Sequence, residues 1–319
     1  MIQQVSRRVV VPPEFAGKRL DQTAALLLAE FSRSRLKQWI EGGQLTVSGL
    51  AAAPKVRLRG GEEIVLEAEL EPVVALEPEA IRLVVVHSDP SIFVIDKPAG
   101  LVVHPGAGNP SGTLQNALLN LDPALAAVPR AGLVHRLDKD TSGLLVVART
   151  LTAQQALAGL IERRRVQRIY EAVCQGALTG GGTVDAPIDR HPRERTRMAV
   201  REGGRPARTR YRVLERFRAQ THLEVELETG RTHQIRVHLA HVRAPLVGDP
   251  VYGGRPKLPR QPTDKLRLVL QGFARQALHA TRLTLPHPDT GETLTFESEL
   301  PADFVELLQA LREDRDLAR

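Results

Sequence analysis

Between residues 61 and 80 the chain carries seven glutamates, two prolines and no basic residue. The 60 residues before it are the reverse, with ten Lys and Arg against four Asp and Glu, which is six of the seven net positive charges of the whole chain. A compositional break of this kind, with Pro72 and Pro78 inside it, reads as a linker between parts that fold separately. A length of 319 residues suffices for one small and one large unit. The expected division is a small unit over 1–75, a linker over 76–83 and a large unit over 84–319.

The net charge of +7 favours a polyanionic partner, because each phosphate met by Lys or Arg releases counterions. Cys174 is the single cysteine, so neither a disulfide framework nor a cysteine zinc site can be built. The opening MIQQVSRRVVVPPEF lacks the apolar stretch of a signal peptide. No apolar run approaches the roughly 18 residues that span a bilayer. The expected location is the cytoplasm, without membrane contact.

In the small unit, Leu20, Ala24, Leu27, Leu28 and Phe31 share one helical face. A second helix starts near Ser34, runs through Leu36, Trp39 and Ile40, and stops at Gly42-Gly43. Strands follow at 45–47 and 62–68. Trp39, at apolar helical spacing, reads as core. The stretch Gly17 to Gly49, GKRLDQTAALLLAEFSRSRLKQWIEGGQLTVSG, resembles the S4 RNA-binding domain. That resemblance implies that Arg33, Arg35 and Lys37, at the start of the second helix, meet RNA phosphates.

From residue 81 the pattern changes. Strand-like runs recur at 82–87, 92–96, 144–148, 170–175, 222–227 and between 283 and 296. Helices fit 113–120 with a Thr113 cap, 152–165 with a Thr152 cap, 232–242 and the tail after Pro301. Strands outnumber helices without alternating regularly, which favours an α+β sheet over a doubly wound one.

Two segments carry chemistry. His135-Arg136-Leu137-Asp138-Lys139-Asp140-Thr141-Ser142-Gly143 packs both signs of charge directly before the apolar strand LLVVA. Such groups beside a buried strand are costly unless paired or used. From the residues alone, Asp138 is a nucleophile, a base, a metal ligand or a salt-bridge partner. The second segment, Glu228 to His241, holds Arg231, Arg236, His233, His238 and His241. Its arginines suggest anion binding at a helix start. HExxH is absent, and no carboxylate stands at ligand spacing. No phosphate loop, dinucleotide fingerprint or nucleophile elbow occurs. No cofactor and no metal is therefore expected.

The motifs DKPAGLVVHPG (96–106), HRLDKDTSGLLVVA (135–148), VQRIYEAVCQG (166–176), ETGRTHQIRVHLAHVRAPLVGDPVYG (228–253) and RQALHA (275–280) together resemble the RluA/RluD-type pseudouridine synthases over essentially the full length. The resemblance implies the pseudouridine synthase fold, a mixed and mainly antiparallel central sheet flanked by helices and loops. It also implies isomerisation of uridine to pseudouridine in structured RNA, with bacterial 23S rRNA of the large subunit as the partner, free or within a pre-ribosomal particle. Asp138 takes the carboxylate role, Tyr170 stacks on the target base, and Arg231 pairs with Asp138, with Arg236 as the alternative. Arg136 enters the RNA stack beside His135, and Ile235 and Leu137 wall the base. Arg168 stands where lysine is more usual. A monomer without an obligate protein partner is expected. Arginines 163–165 and those between 190 and 210 read equally as a phosphate track or as solvated charge. The two rival functions are an RNA-binding protein without catalysis and a metal-dependent hydrolase using His233, His238 and His241.

Overall fold

The computed structural model describes residues 3–31, 33–70, 76–106, 108–194 and 196–317. Its contacts divide the chain into Met1–Leu76 and Glu77–Arg319. The boundary expected at residue 75, and Pro72 with it, lies outside the described residues. The stretch expected as a linker is fixed from Glu77 onward. Asn116 Nδ2 donates to the Glu77 carbonyl at 2.8 Å, and Gly112 N–H donates to the Glu79 carboxylate at 2.9 Å.

The first unit runs β1 (Gln3–Val10), α1 (Leu20–Leu27), α2 (Arg33–Glu41), β2 (Leu45–Val47), β3 (Leu50–Ala51) and β4 (Glu63–Leu70). The strands form an antiparallel sheet in the order β1-β4-β2-β3. Leu20, Ala24, Leu36, Ile40, Leu45, Ile64 and Leu66 are fully buried between helices and sheet, each aliphatic side chain contributing about 1.5–3 kcal/mol. Trp39 belongs to this core, edge-on to Phe31 at 5.0 Å. The sequence reading missed β1, because Arg7 interrupts the alternation of Val5 and Val9. The strand exists because residues 3–10 pair residue for residue with 70–63.

The second unit adds β5 (Val84–Ser88), β6 (Ile92–Lys97), α3 (Leu114–Leu121), β7 (Ser142–Ala148), α4 (Leu151–Glu162) and β8 (Gln167–Gln175). It continues with β9 (Gly182–Asp185), β10 (Ile188–Arg190), β11 (Met198–Val200), β12 (Arg208–Arg216), β13 (Gln220–Leu227) and α5 (Gln234–His241). It ends with α6 (Asp264–Gly272), β14 (Leu278–Pro286), β15 (Thr293–Glu297) and α7 (Ala302–Leu317). The large sheet is ordered β5-β6-β7-β14-β8-β13-β12-β9, with β15 beside β14. Among the described residues, β7–β14 is the one parallel pair of neighbouring strands in this sheet. The α+β, mainly antiparallel expectation holds.

Two caps differ in outcome. Thr113 caps α3 in a reciprocal box with Asn116. The cap of α4 is Thr150 rather than Thr152, since Thr150 Oγ1 accepts from Ala153 N–H at 3.1 Å. β12 was not expected, because RTRYRVLER reads as basic surface. Its arginines are spent on carboxylates along the sheet: Arg208 on Asp185, Arg210 on Glu228, Arg212 on Glu224. That weighs against a phosphate track along this strand.

Every residue of β7 is buried, and this central strand sets the position of the loop before it. Gly143 makes the junction possible. Its φ is +110°, and a Cβ there would lie 2.3 Å from the Ala280 carbonyl oxygen of the parallel strand β14, so no larger residue fits.

Candidate active site

The loop carrying Asp138 is tied at several points. Thr141 N–H donates to the Asp138 carbonyl at 3.1 Å, and Gly100 N–H donates to the Lys139 carbonyl at 2.9 Å. Gln276 Nε2 donates to Thr141 Oγ1 at 3.0 Å, and Ser142 Oγ meets His279 Nδ1 at 2.8 Å. These bonds explain why 96–106, 135–148 and 275–280 converge. Lys97 completes the tie. It is fully buried, and its Nζ donates to the carbonyls of Pro98, Leu101 and Lys139 at 2.7, 2.9 and 3.0 Å. Burial pushes its ammonium down to about 7, against the pull of Asp140 and Asp138.

Asp138 keeps a side-chain exposure of 16% and accepts a hydrogen bond from Arg236 Nη1 at 3.0 Å. Arg236 is 5% exposed, and its other edge grips Asp249 with two bonds of 2.7 and 2.9 Å. One planar guanidinium thus joins two carboxylates. Burial raises the Asp249 carboxyl, but Arg236 outweighs it and holds the group below its ordinary value. Asp249 also accepts from the backbone N–H groups of Val251 and Tyr252. The Tyr252 ring lies 5.1 Å from the Arg236 guanidinium, and its hydroxyl meets His233 Nδ1 at 2.9 Å.

The expected pairing of Arg231 with Asp138 is corrected here. Arg231 Nε donates instead to the Pro206 carbonyl at 3.1 Å. The cause is a left-handed turn at His233 (φ 55°), after which α5 begins. Arg231 stays outside the helix, while Arg236 falls in its first turn and points inward. Gln234 anchors that turn, accepting from Thr229 Oγ1 and Arg231 N–H and donating to the Arg208 carbonyl and Thr209 Oγ1.

A narrow slot with about 50 Å³ of free space brings together Asp138, Arg136, Tyr170, Arg231, Ile235 and Arg236, with Leu137 and Leu278 as apolar wall. Tyr170 is 4% exposed and its phenol, raised by burial, has no hydrogen-bond partner among the described residues. It presents an aromatic face beside a carboxylate. His135 lies behind the slot, its Nε2 accepting from Val146 N–H at 3.1 Å.

The histidines of 228–241 do not gather. His238 spends both nitrogens, on Thr209 Oγ1 at 2.8 Å and the Ala186 carbonyl at 2.9 Å. His241 is exposed. Among the described residues no group of three or more His, Cys, Asp or Glu is arranged to hold a metal ion.

In the first unit, Arg33, Arg35 and Lys37 each have a partner within the unit. Arg33 reaches Asp21 at 2.8 Å, Lys37 lies 3.5 Å from Glu41, and Arg35 lies over Trp39. Arg33 and Lys37 remain more than half exposed along a groove of about 620 Å³ that Arg19 and Lys55 also line.

Sequence reasoning missed Asp249, Tyr252, Gln234 and Lys97. Asp249 and Tyr252 stand in GDPVYG, inside a quoted motif, where an acid between glycine and proline was the available signal.

The family model for RNA pseudouridylate synthase matches residues 91–241. Ribosomal large subunit pseudouridine synthase D of Xanthomonas campestris is 58% identical over 308 residues, covering 97% of this chain and 93% of that protein. The protein of the same name in Pseudomonas aeruginosa is 54% identical over 316 residues, covering 99% of each. Among solved structures, human RNA pseudouridylate synthase domain containing 4 superimposes with a TM-score of 0.57 at 29% identity, over 72% of this chain and 92% of that one.

Proposed function

Since this chain belongs to the RNA pseudouridylate synthase family, we propose that its substrate is a uridine of bacterial 23S rRNA in the large ribosomal subunit and that Asp138 is the carboxylate that acts on it. The enzyme is an isomerase, and its substrate is RNA. The N1–C1′ bond breaks, the base turns, C5 bonds to C1′ and gives up its proton to solvent, and N1 takes up a proton in its place. The observation that carries the assignment is the Asp138–Arg236 ion pair at the edge of a slot shared with Tyr170.

The carboxylate acts at the sugar or at C6 as a nucleophile, or at the 2′ position as a base. In each case it works beside a fixed guanidinium that needs no reorganisation during the reaction. Tyr170 stacks against the uracil and holds it through the turn, next to the apolar side chains of Leu137 and Ile235. A base within a stem must leave the stack first, at a few kcal/mol. The exposed Arg136 fills the vacancy, its plane stacking and its fork hydrogen-bonding.

The first unit is read as an S4-like RNA-binding module. Its support is the exposed basic groove at the start of α2. The protein works in the cytoplasm as a monomer, on rRNA free or within a pre-ribosomal particle.

Asp138→Asn tests the assignment. Carbodiimide mapping of 23S rRNA from a deletion strain, complemented with wild type or variant, identifies the modified positions. The expected result is no pseudouridine with the variant, while purified variant binds the same RNA within about threefold of wild type. Restored modification would remove Asp138 from the chemistry.

A further inference from the structure

Arg168 precedes Tyr170 by two residues on β8, so both side chains leave the same face of the strand. Its guanidinium is 8% exposed, and Nε is buried without an acceptor among the described residues. Space for it exists because residue 230 is glycine, where a Cβ would lie 2.8 Å from Arg168 Nη1. Beside it, His135 has its Nε2 occupied as an acceptor. Burial, with help from Arg168, pushes this imidazole down to about 3, so the ring is neutral and its proton sits on Nδ1. That Nδ1–H is also buried without an acceptor.

Arg168 and His135 both line a second cavity, of about 260 Å³, which Arg130, Arg136 and Arg231 also line and which reaches Asp138. Buried donors without acceptors cost about 1–3 kcal/mol each, and native proteins seldom keep them without a ligand or a functional reason. Asp138 accepts from Arg236 and from neither of these donors.

We propose that the Arg168 guanidinium, with the neutral His135 behind it, binds a phosphodiester oxygen of the substrate, one of the two linkages flanking the flipped uridine. This rests on the uridine-isomerising reading of the Asp138 slot. With C1′ at Asp138, the nucleotide's own phosphates lie only a few bonds away, on the side of this cavity. The uracil belongs to the slot with the apolar wall. The wider cavity offers guanidinium groups, which match a phosphodiester in charge and in forked geometry. The contact contributes binding energy to the backbone of the flipped nucleotide and does not touch the reacting atoms.

The test uses synthetic RNA stem-loops carrying the uridine found by carbodiimide mapping, with a single neutral methylphosphonate linkage 5′ or 3′ of it. Turnover is followed by tritium release from [5-³H]uridine, with Arg168→Met and Arg168→Lys. Arg168→Met is expected to raise KM about tenfold with kcat nearly unchanged, and Arg168→Lys to recover most of that. One neutral linkage should cost wild type the same factor and cost Arg168→Met nothing further, the signature of a shared contact. Losses that add at both linkages would overturn the proposal. So would a fall in kcat at constant KM, which would put the guanidinium at the detached base. If Arg168→Met fails to fold, Arg168→Gln, which removes the charge and keeps the polarity, takes its place in the same linkage scan. Wild-type turnover of the unmodified stem-loop, and its loss in Asp138→Asn, report separately on the underlying reading.

Discussion

The two units each contain an aspartate–arginine cluster, and the two are inverted. In the first unit one buried carboxylate, Asp21 (4% exposed), is shared by two guanidiniums, Arg19 at 36% and Arg33 at 55% exposure. In the second, one buried guanidinium is shared by two carboxylates, Asp138 and Asp249. Burial works against the charge of Asp21, and its two arginines outweigh it. The first arrangement leaves surplus positive charge facing water, where a long-range partner can use it. The second leaves one carboxylate, Asp138, partly exposed at the edge of a slot, where it can act on one atom. The difference teaches that which partner is buried, more than which residue types are present, separates a binding surface from a reactive site.

The largest effect is expected from breaking the second cluster. Asp249→Asn removes the charge that holds one edge of Arg236. It should cost about 3–5 kcal/mol of stability, as for a buried pair that loses one partner. It should also lower kcat by roughly 10²–10³ with a smaller change in KM, as expected when a preorganised donor is released. Urea unfolding and tritium release measure the two. Full kcat would show that Asp249 does not position the guanidinium.

A smaller effect is expected from pH. The folded pKa of His135, about 3, lies below the ordinary histidine value of about 6.5. The unfolded chain therefore takes up a proton that the folded one refuses, and His135 lowers stability progressively as pH falls from about 6.5 towards 3. His135→Gln keeps an acceptor for Val146 N–H without that uptake. The stability difference between wild type and variant should be constant above pH 7 and shift against wild type below about pH 6. A pH-independent difference would mean that His135 takes up its proton as readily in the fold as in the unfolded chain.

The smallest effect on folding belongs to the first cluster. Arg33→Gln with Lys37→Gln removes two cations that are more than half exposed and leaves Arg19 on the buried Asp21, so the thermal midpoint should shift by only a few degrees. The log–log salt slope of rRNA binding should fall by about 1 per lysine or arginine removed. An unchanged slope would take these side chains off the phosphates.

Asp138 was legible because seven polar residues crowd the nine before the apolar run LLVVA, a juxtaposition the chain retains only where the charges are matched or used. Tyr170 was legible as a motif residue. The partner of Asp138 was not. Arg231 and Arg236 are equivalent as side chains, and the left-handed turn at a histidine that separates them has no reliable sequence mark. Lys97 stood in a quoted motif without being singled out and is fully buried. β12 looked like basic surface and is a paired strand. What holds each depends in part on residues distant in the chain, Lys139 for Lys97 and Asp185 for Arg208, which no local pattern records.

The sequence alone determined the period-two and helical segments, the break near residue 70 and the residues able to carry carboxylate chemistry, because these depend on side-chain type and local spacing. Tertiary structure decided which arginine meets Asp138, which carboxylate holds that arginine and which basic groups are left with donors to spare. Those outcomes depend on distances between strands and loops many residues apart, and only closing the sheet fixes them.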